Sequence, residues 1–449
     1  MVLLYRAIWI VGFPVVLGYF FLRMLRDRRY GASFGERFGG GASLPGSVWI
    51  HAVSLGEIRA AESLIRVLLD RGETVAVTCM TPAARTEAER KFGKDLSAGR
   101  LVTRYQPFEF GFAYRRFYRQ ISPKFLLILE FDIWPVMIAS SRRQGIPVYL
   151  CNTQITARNL ERSERSSWSV HALRLGVLKL ISAAFAKSEQ HATRFRKLGV
   201  SNVSVTGELR FDQPLPQRQV SMARKFAKSR HIGLPERAVI AFTSVVEGED
   251  SIFAELIPRL RSRCLEAKLP RPFFVYVPRR PERFAKVAEF LQRSGLTVVP
   301  RSGILDEELR LVGSGQDFHD VDVFFGDSLG EMPFYLELSD IAVVGGGFTP
   351  AGAHNVIEPL ALKKPVIVGP HIWTIEFPAV EAMAAGVLFK TESIDELEST
   401  IMGMLRSGED AEKLGQDALR FHALHAGSAA RTLEAIDAAQ TAILSGKYD

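Results

Sequence analysis

Cysteine is nearly missing from this chain: three residues in 449, Cys79, Cys151 and Cys264, far apart and outside any Cys-x-x-Cys or Cys/His cluster. That excludes a disulfide-held scaffold and a thiolate metal centre, and it marks the three as core thiols of a reducing compartment. The nine histidines are scattered, and no group of His, Asp and Glu has the spacing of a metal site. No Ser/His/Asp order stands out, so nothing points to a triad hydrolase. Short repeats and low-complexity segments are lacking too, which excludes solenoids and tethers. Acidic excess is absent: 57 Lys and Arg against 49 Asp and Glu leave a net charge of +8. The expected partners are therefore anionic: nucleic acid, an acidic membrane surface or phosphorylated small molecules. With no aromatic-basic surface motif, nucleic acid is the weakest of these.

There is one long hydrophobic run, at the start. Residues 1–22 are apolar except for Arg6, and Arg23, Arg26, Arg28 and Arg29 follow at once. The stretch Ala7–Leu22 is shorter than the ~20 residues of a spanning helix, but Val2–Leu4 extend it if Arg6 snorkels. A cleaved signal carries its charge before the run, and here the charge comes after it. The run predicts a single N-terminal membrane anchor, spanning or interfacial, with the remainder of the chain on the cytoplasmic side. Residues 1–29 form this anchor and its basic flank. Residues 30–46, with Gly39-Gly40-Gly41, read as a linker.

From Val48 onward, short apolar runs alternate with helical patterns. Candidate strands are Val48–Val53, Val75–Cys79, Leu101–Tyr105, Lys124–Leu129, Pro147–Cys151, Ile181–Ala186 and Val203–Val205. A break at Phe211–Pro216 precedes a charged helical stretch. A second series then runs through Ala238–Thr243, Phe273–Val277, Thr297–Val299, Val321–Phe325, Ile341–Val344, Pro365–Val368 and Val387–Phe389. Three helical stretches close the chain, from about Ile394, Asp410 and Ser428. Strands separated by helices imply parallel, doubly wound sheets. The expected architecture is α/β, with two Rossmann-like domains (30–212 and 237–449) joined by a linker at 213–236 and facing an interlobe cleft.

Ligands of such sheets sit at the carboxyl ends of strands. The stretch Ser47–Glu57 is a strand, a turn supplied by Ser54 and Gly56, and a helix start, with Glu57 in the first helical turn. A carboxylate there is ionised at pH 7 and able to accept a proton, although the helix dipole alone also accounts for an acid at this position. In the second half, Val344–Pro359 is a strand end, a Gly-rich loop and a helix starting near His354 or Asn355, which suits a phosphate; Glu358 one turn in suits ribose hydroxyls. Arg279, Arg280 and Arg283 follow a strand, where guanidinium groups suit phosphate or carboxylate. Gly326–Met332 repeats the strand–turn–helix pattern, and Glu130 and Asp132 end a strand on the cleft side.

Taken in order, eight blocks resemble the bacterial 3-deoxy-D-manno-octulosonic acid (Kdo) transferases of lipopolysaccharide synthesis. They are His51–Glu57, Met80–Pro82, Glu130–Pro135, Ala157-Arg158, Thr206–Asp212, Pro278–Arg283, Gly326–Met332 and His354–Pro359, and Gly35–Phe38 adds to them. The resemblance implies a GT-B fold, an inner-membrane anchor, CMP-Kdo as donor, a lipid A precursor as acceptor, and no metal or other cofactor. It implies Glu57 as general base for an inverting transfer. The nucleotide site maps onto Arg279, Arg280, Gly326, Asp327, Ser328, Gly330, Glu331, Asn355 and Glu358, and the acceptor side onto Ser54, Gly56, Glu130, Asp132 and Arg158. The chain departs from the family pattern at Arg280, Val246, Ala353 and Phe131-Asp132. These departures leave open another CMP-activated acidic sugar, a different lipid acceptor, or a non-catalytic paralogue.

Overall fold

A computed structural model describes residues 2–165, 176–230, 232, 237–312, 318–406 and 408–445. Two compact units divide them: Met1–Gln213 with Ala426–Asp449, and Pro214–His425.

The first unit opens with a long helix, α1 (Val2–Arg26), followed by a short 3-10 turn at Phe34–Phe38. Its sheet holds β1 (Val48–His51), β2 (Val75–Cys79), β3 (Leu101–Tyr105), β4 (Leu126–Leu129), β5 (Val148–Thr153), β6 (Ala183–Ala186) and β7 (Val203–Val205). All pairings are parallel, in the order β3-β2-β1-β4-β5-β6-β7. The helices that matter here are α2 (Leu55–Asp70), α3 (Gly111–Ile121), α4 (Pro135–Arg143) and α5 (Ala157–Arg165). Residues Ile58, Ala61, Leu64, Ile65 and Leu68 recur at helical spacing on α2 and are buried against the sheet.

The expected linker at 30–46 is instead packed structure. Arg37 is fully buried, donating to the Met80 carbonyl (3.0 Å), while Glu36 accepts from the Tyr105 N–H (2.8 Å) and pairs with Arg85 (2.9 Å). Gly39, at φ 82°, brings the chain so close to the Ala113 carbonyl that a Cβ there would collide. The glycine run serves close approach here, not flexibility.

The second unit repeats the plan with β8 (Val239–Val245), β9 (Phe273–Pro278), β10 (Val298–Pro300), β11 (Val323–Phe325), β12 (Ile341–Val344), β13 (Val366–Val368) and β14 (Leu388–Lys390). The order is β10-β11-β9-β8-β12-β13-β14, again all parallel. It also contains α6 (Gln217–Arg230), α7 (Met332–Leu338) and α8 (Ile357–Ala361).

Two sequence-based boundaries move. The stretch read as linker 213–236 holds α6, whose Val220, Ala223 and Phe226 are buried in the second unit; residues 231 and 233–236 lie outside those described. The last helix, α9 (Ser428–Leu444), belongs to the first unit, not the second. Its stripe Ala429, Leu433, Ile436 and Ala439 completes the core over α2, and Asp212 accepts the N–H groups of Gly427 (2.5 Å) and Ala429 (2.6 Å) at its start.

Candidate active site

A doubly wound sheet opens a crevice where the strand order reverses. In the first unit that point lies between β1 and β4. Ser54, after β1, is the N-cap of α2: its Oγ accepts from the Glu57 N–H (3.3 Å) and donates to Glu57 Oε1 (2.9 Å). Glu57 Oε2 accepts from the Val53 N–H (2.7 Å). This is a reciprocal cap of the kind Ser-x-x-Glu sequences build. Each carboxylate oxygen keeps a second lone pair, so the cap orients the group without exhausting it. Burial pushes the Glu57 carboxyl above its ordinary value, against the lowering effect of the Val53 and Ser54 hydrogen bonds. Helix-dipole reasoning points to a lower value, and desolvation outweighs it. Gly56 is not the turn residue expected: it sits inside the first turn of α2, exposed, with ample room around its Cα.

Behind Glu57 stands a pair the sequence did not single out as such. His51, fully buried at the end of β1, places Nδ1 2.9 Å from Thr78 Oγ1 and Nε2 3.1 Å from Asp132 Oδ2. Asp132 also accepts from the Trp134 indole (2.5 Å). Asp132 therefore joins Glu57's surroundings, where its charge acts to raise the Glu57 carboxyl.

Glu130 does not stand free in a crevice. Its φ is 57°, and its carboxylate accepts from Asn152 Nδ2 (3.0 Å) and pairs with Lys187 (2.8 Å) and Arg210 (3.4 Å). Lys187, 1% exposed, also pairs with buried Glu208 (2.6 Å). These groups form a neutralised buried network at the carboxyl ends of β4, β5 and β6. Arg158 is exposed on α5.

In the second unit the order reverses between β8 and β12. The loop after β12 is the Gly-rich segment, and most of its donors are already used. Glu249, fully buried after β8, accepts from the N–H groups of Val246 (2.9 Å), Gly346 (2.7 Å) and Phe348 (3.1 Å). His354 N–H bonds the Gly345 carbonyl (3.1 Å), Ala353 N–H the His371 carbonyl (2.8 Å), and Asn355 Oδ1 accepts from Ile357 N–H (3.0 Å). The helix, α8, begins at Ile357, later than expected, and is one turn long. A buried carboxylate and neighbouring carbonyls thus take up the loop donors at Gly346, Phe348, Ala353 and His354, while at the helix start itself the Ile357 N–H is held by Asn355 Oδ1.

Positive charge comes from side chains. Arg279 and Arg280 are exposed after β9, and Arg279 lies within Coulombic reach of Glu358 and His354. Arg283 is structural, bonded to the Val245 carbonyl (2.8 Å) and to Asp250. Burial, reinforced by Arg279, pushes His354 down to about 4, so it is neutral at pH 7, and its Nε2 is buried without a hydrogen-bond partner.

Gly326 is required by packing, since a Cβ would meet Tyr335 and Val277 at 2.9 Å. Asp327 accepts from the Ser302 N–H (2.9 Å), Ser328 Oγ donates to Glu331 Oε2 (2.6 Å), and Glu331 is paired with Arg301 (2.7 Å). Gly330, at φ 80°, closes the turn before α7. This segment is a braced wall of the site; its carboxylates are committed to protein partners.

Glu249 and Lys187 are the residues missed, while His51 and His354 were read as the ends of motif blocks with no role of their own. Only Glu249 carried a signal, an acid directly after Glu247-Gly248 at a strand end.

The comparisons with known proteins now bear on this geometry. A relative from Bordetella pertussis, named 3-deoxy-D-manno-octulosonic acid transferase, is 36% identical over 396 residues, covering 88% of each chain. This chain belongs to the Kdo transferase family. A relative of the same name from Haemophilus influenzae is 30% identical over 422 residues, 92% of each chain. The family model described as "3-Deoxy-D-manno-octulosonic-acid transferase (kdotransferase)" matches residues 32–213, nearly all of the first unit's N-terminal part. Among solved structures, a glycosyltransferase from Rickettsia africae covers 89% of this chain and 99% of its own at 13% identity, with a TM-score of 0.58. The Kdo transferase is thus a glycosyltransferase with two seven-stranded parallel α/β units of GT-B type, as its sequence implied.

The two loops at the second switch point are zipped together by glycine. A Cβ on Gly369 would collide with the Gly347 carbonyl, while the His371 N–H bonds that same carbonyl oxygen (3.0 Å). Gly369→Ala is expected to cost about 1–3 kcal/mol and to part the loops. Hydrogen exchange should speed up in the loops after β12 and β13 while α2 and its Glu57 keep their protection.

Proposed function

We propose that this Kdo transferase moves Kdo from CMP-Kdo to a hydroxyl of a lipid A precursor, with inversion, at the cytoplasmic face of the inner membrane. The observation that carries the reading is Glu57: a carboxylate oriented by its own helix cap, raised in basicity by burial, at the switch point of the first sheet. Glu57 takes the proton of the acceptor hydroxyl as that oxygen bonds the anomeric carbon. The bond from that carbon to the phosphate oxygen breaks, and CMP leaves with the electron pair. Arg279 and Arg280 meet the charge that grows on the leaving phosphate, and fixed positive charge aimed at such a group is a strong source of rate. Glu358, facing Arg279, suits the ribose hydroxyls, and Ser54, Gly56 and Asp132 border the acceptor. No metal is part of this scheme. The apolar outer side of α1 supplies the membrane contact, and the basic balance of the chain suits an anionic lipid.

The test is to incubate purified protein with CMP-Kdo and a lipid A precursor and to read product masses. Added Kdo with release of CMP supports the reading; release of CMP only with another donor or acceptor redirects it within the family. Arg279→Ala should raise the donor KM about 10- to 100-fold, the worth of a charged hydrogen bond, and leave the Glu57 pH profile unchanged.

A further inference from the structure

Helix α1 is 25 residues long, about 37 Å, and so long enough to cross a bilayer. It does not stand clear of the first unit. Tyr5, Trp9, Phe13, Val16, Phe20 and Met24 recur every three or four residues, and these positions, with Arg6 and Gly12 beside them, are the ones that lose exposure. Trp9 meets Phe110 and Trp134 edge-on (6.4 Å each), Phe13 meets Phe110 (4.6 Å) and Phe108 (5.1 Å), and Phe20 meets Phe108 (5.5 Å). Arg37 lies over Phe20 at 4.3 Å. The docked stripe from Tyr5 to Met24 covers about 28 Å of helix, so the axis runs along the domain surface.

The opposite side is bare and apolar: Leu3 is 78% exposed, Val11 81%, Val15 76%, with Leu22 and Leu25 beyond. Phe112, half exposed on α3, stacks at 5.4 Å on Phe110, which itself meets Trp9 and Phe13 of α1. Arg26 at the end of α1 and Arg28 and Arg29 just after it are exposed, as are Arg115, Arg116 and Arg119 on α3. A helix that crossed the bilayer while docked would carry the α3 arginines to its own depth, which is costly. Undocking it would strip the aromatic cluster instead. A helix apolar on both sides, one docked on the unit and the other bare, with arginines at its end, has a third option, to lie in the interface with the unit behind it.

We infer that α1 lies in the plane of the membrane as a fixed part of the first unit, its outer face in one leaflet, and does not cross the bilayer. The partner of this face is an anionic lipid surface, and the inference rests on the membrane reading above. Trp9 touches Trp134, whose indole holds Asp132 beside His51, so the docked helix also braces the loop that borders Glu57.

The test uses the full chain with a Gly-Ser-Cys extension before Met1, expressed and assayed in sealed inverted inner-membrane vesicles with an impermeant maleimide. Cys79, Cys151 and Cys264 are buried, so the added thiol is the reactive one. Lys225→Cys, exposed on α6, reports the outer face of these vesicles. The expected result is protein that sediments with the vesicles and an extension labelled as fully as Lys225→Cys. Vesicle-bound protein whose extension reacts only after permeabilisation overturns the inference. Protein that does not sediment at all removes the membrane reading itself, and sedimentation is scored before labelling.

Discussion

Glu57→Gln should leave the protein folded and able to bind CMP, and lower kcat by about 10²–10⁴-fold, the usual worth of a positioned base. The amide fits the same cap. Its oxygen can accept from Val53 N–H, and Ser54 Oγ can turn to accept from its NH₂ group, so the helix start survives. If Glu57 served the cap alone, the variant would lose at most about 2 kcal/mol of stability and no rate. The pH profile separates the two roles. A base works ionised, so activity is lost as pH falls through its pKa, and burial has raised that pKa above the 4.5 of an ordinary glutamate. The acid limb of kcat/KM should therefore stand above 4.5 in the wild type and be missing from the residual rate of Glu57→Gln. Ser54→Ala removes a hydrogen bond that lowers the Glu57 pKa and should move the limb to higher pH. A limb that stays put in Ser54→Ala would place the titrating group elsewhere.

Much of this could be read from the chain. Every strand of both sheets was legible, with ends shifted by a residue or two, because strands buried on both faces of a parallel sheet read as short continuous apolar runs. Glu57 was legible for a local reason too: its cap partners are three and four residues away. What failed was non-local. Glu36 and Arg37 look like loop charges until Arg85 and Tyr105 close over them. Glu249 reaches Gly346 across 97 positions, and nothing near Glu249 announces that its carboxylate will tie down the Gly-rich loop. The last helix was assigned to the second unit by its position in the chain. Its partners are Leu209 and the stripe on α2, far away in sequence.

The same non-locality makes Lys187→Met the variant with the largest expected loss of stability, about 3–5 kcal/mol, because it strands buried carboxylates. Lys187 sits between Glu130 (2.8 Å) and Glu208 (2.6 Å), and Asn152 bonds both acids (3.0 and 2.9 Å) while accepting from the Leu209 N–H (2.8 Å). Glu130 and Asn152 also hold left-handed backbone, φ 57° and 55°, a conformation that persists only where its surroundings insist on it. In the wild type, burial pushes Glu208 up, but Lys187 and Arg210 outweigh it and hold the carboxyl well below the usual range. Its contribution is thus present above the unfolded pKa and lost as pH falls below it. Without Lys187 the burial effect wins, the folded pKa rises, and stability is lost as pH rises through it. Urea unfolding followed by hydrogen exchange in β5 and β6 should show this inversion: the deficit of Lys187→Met is largest near neutrality and shrinks toward pH 4. Adding Glu208→Gln should recover a large part of the loss, since the second change removes the charge that the first left unpaired. If the double variant is no more stable than Lys187→Met, the loss came from packing around the lysine stem, and the network is not what holds the loop beside Glu57.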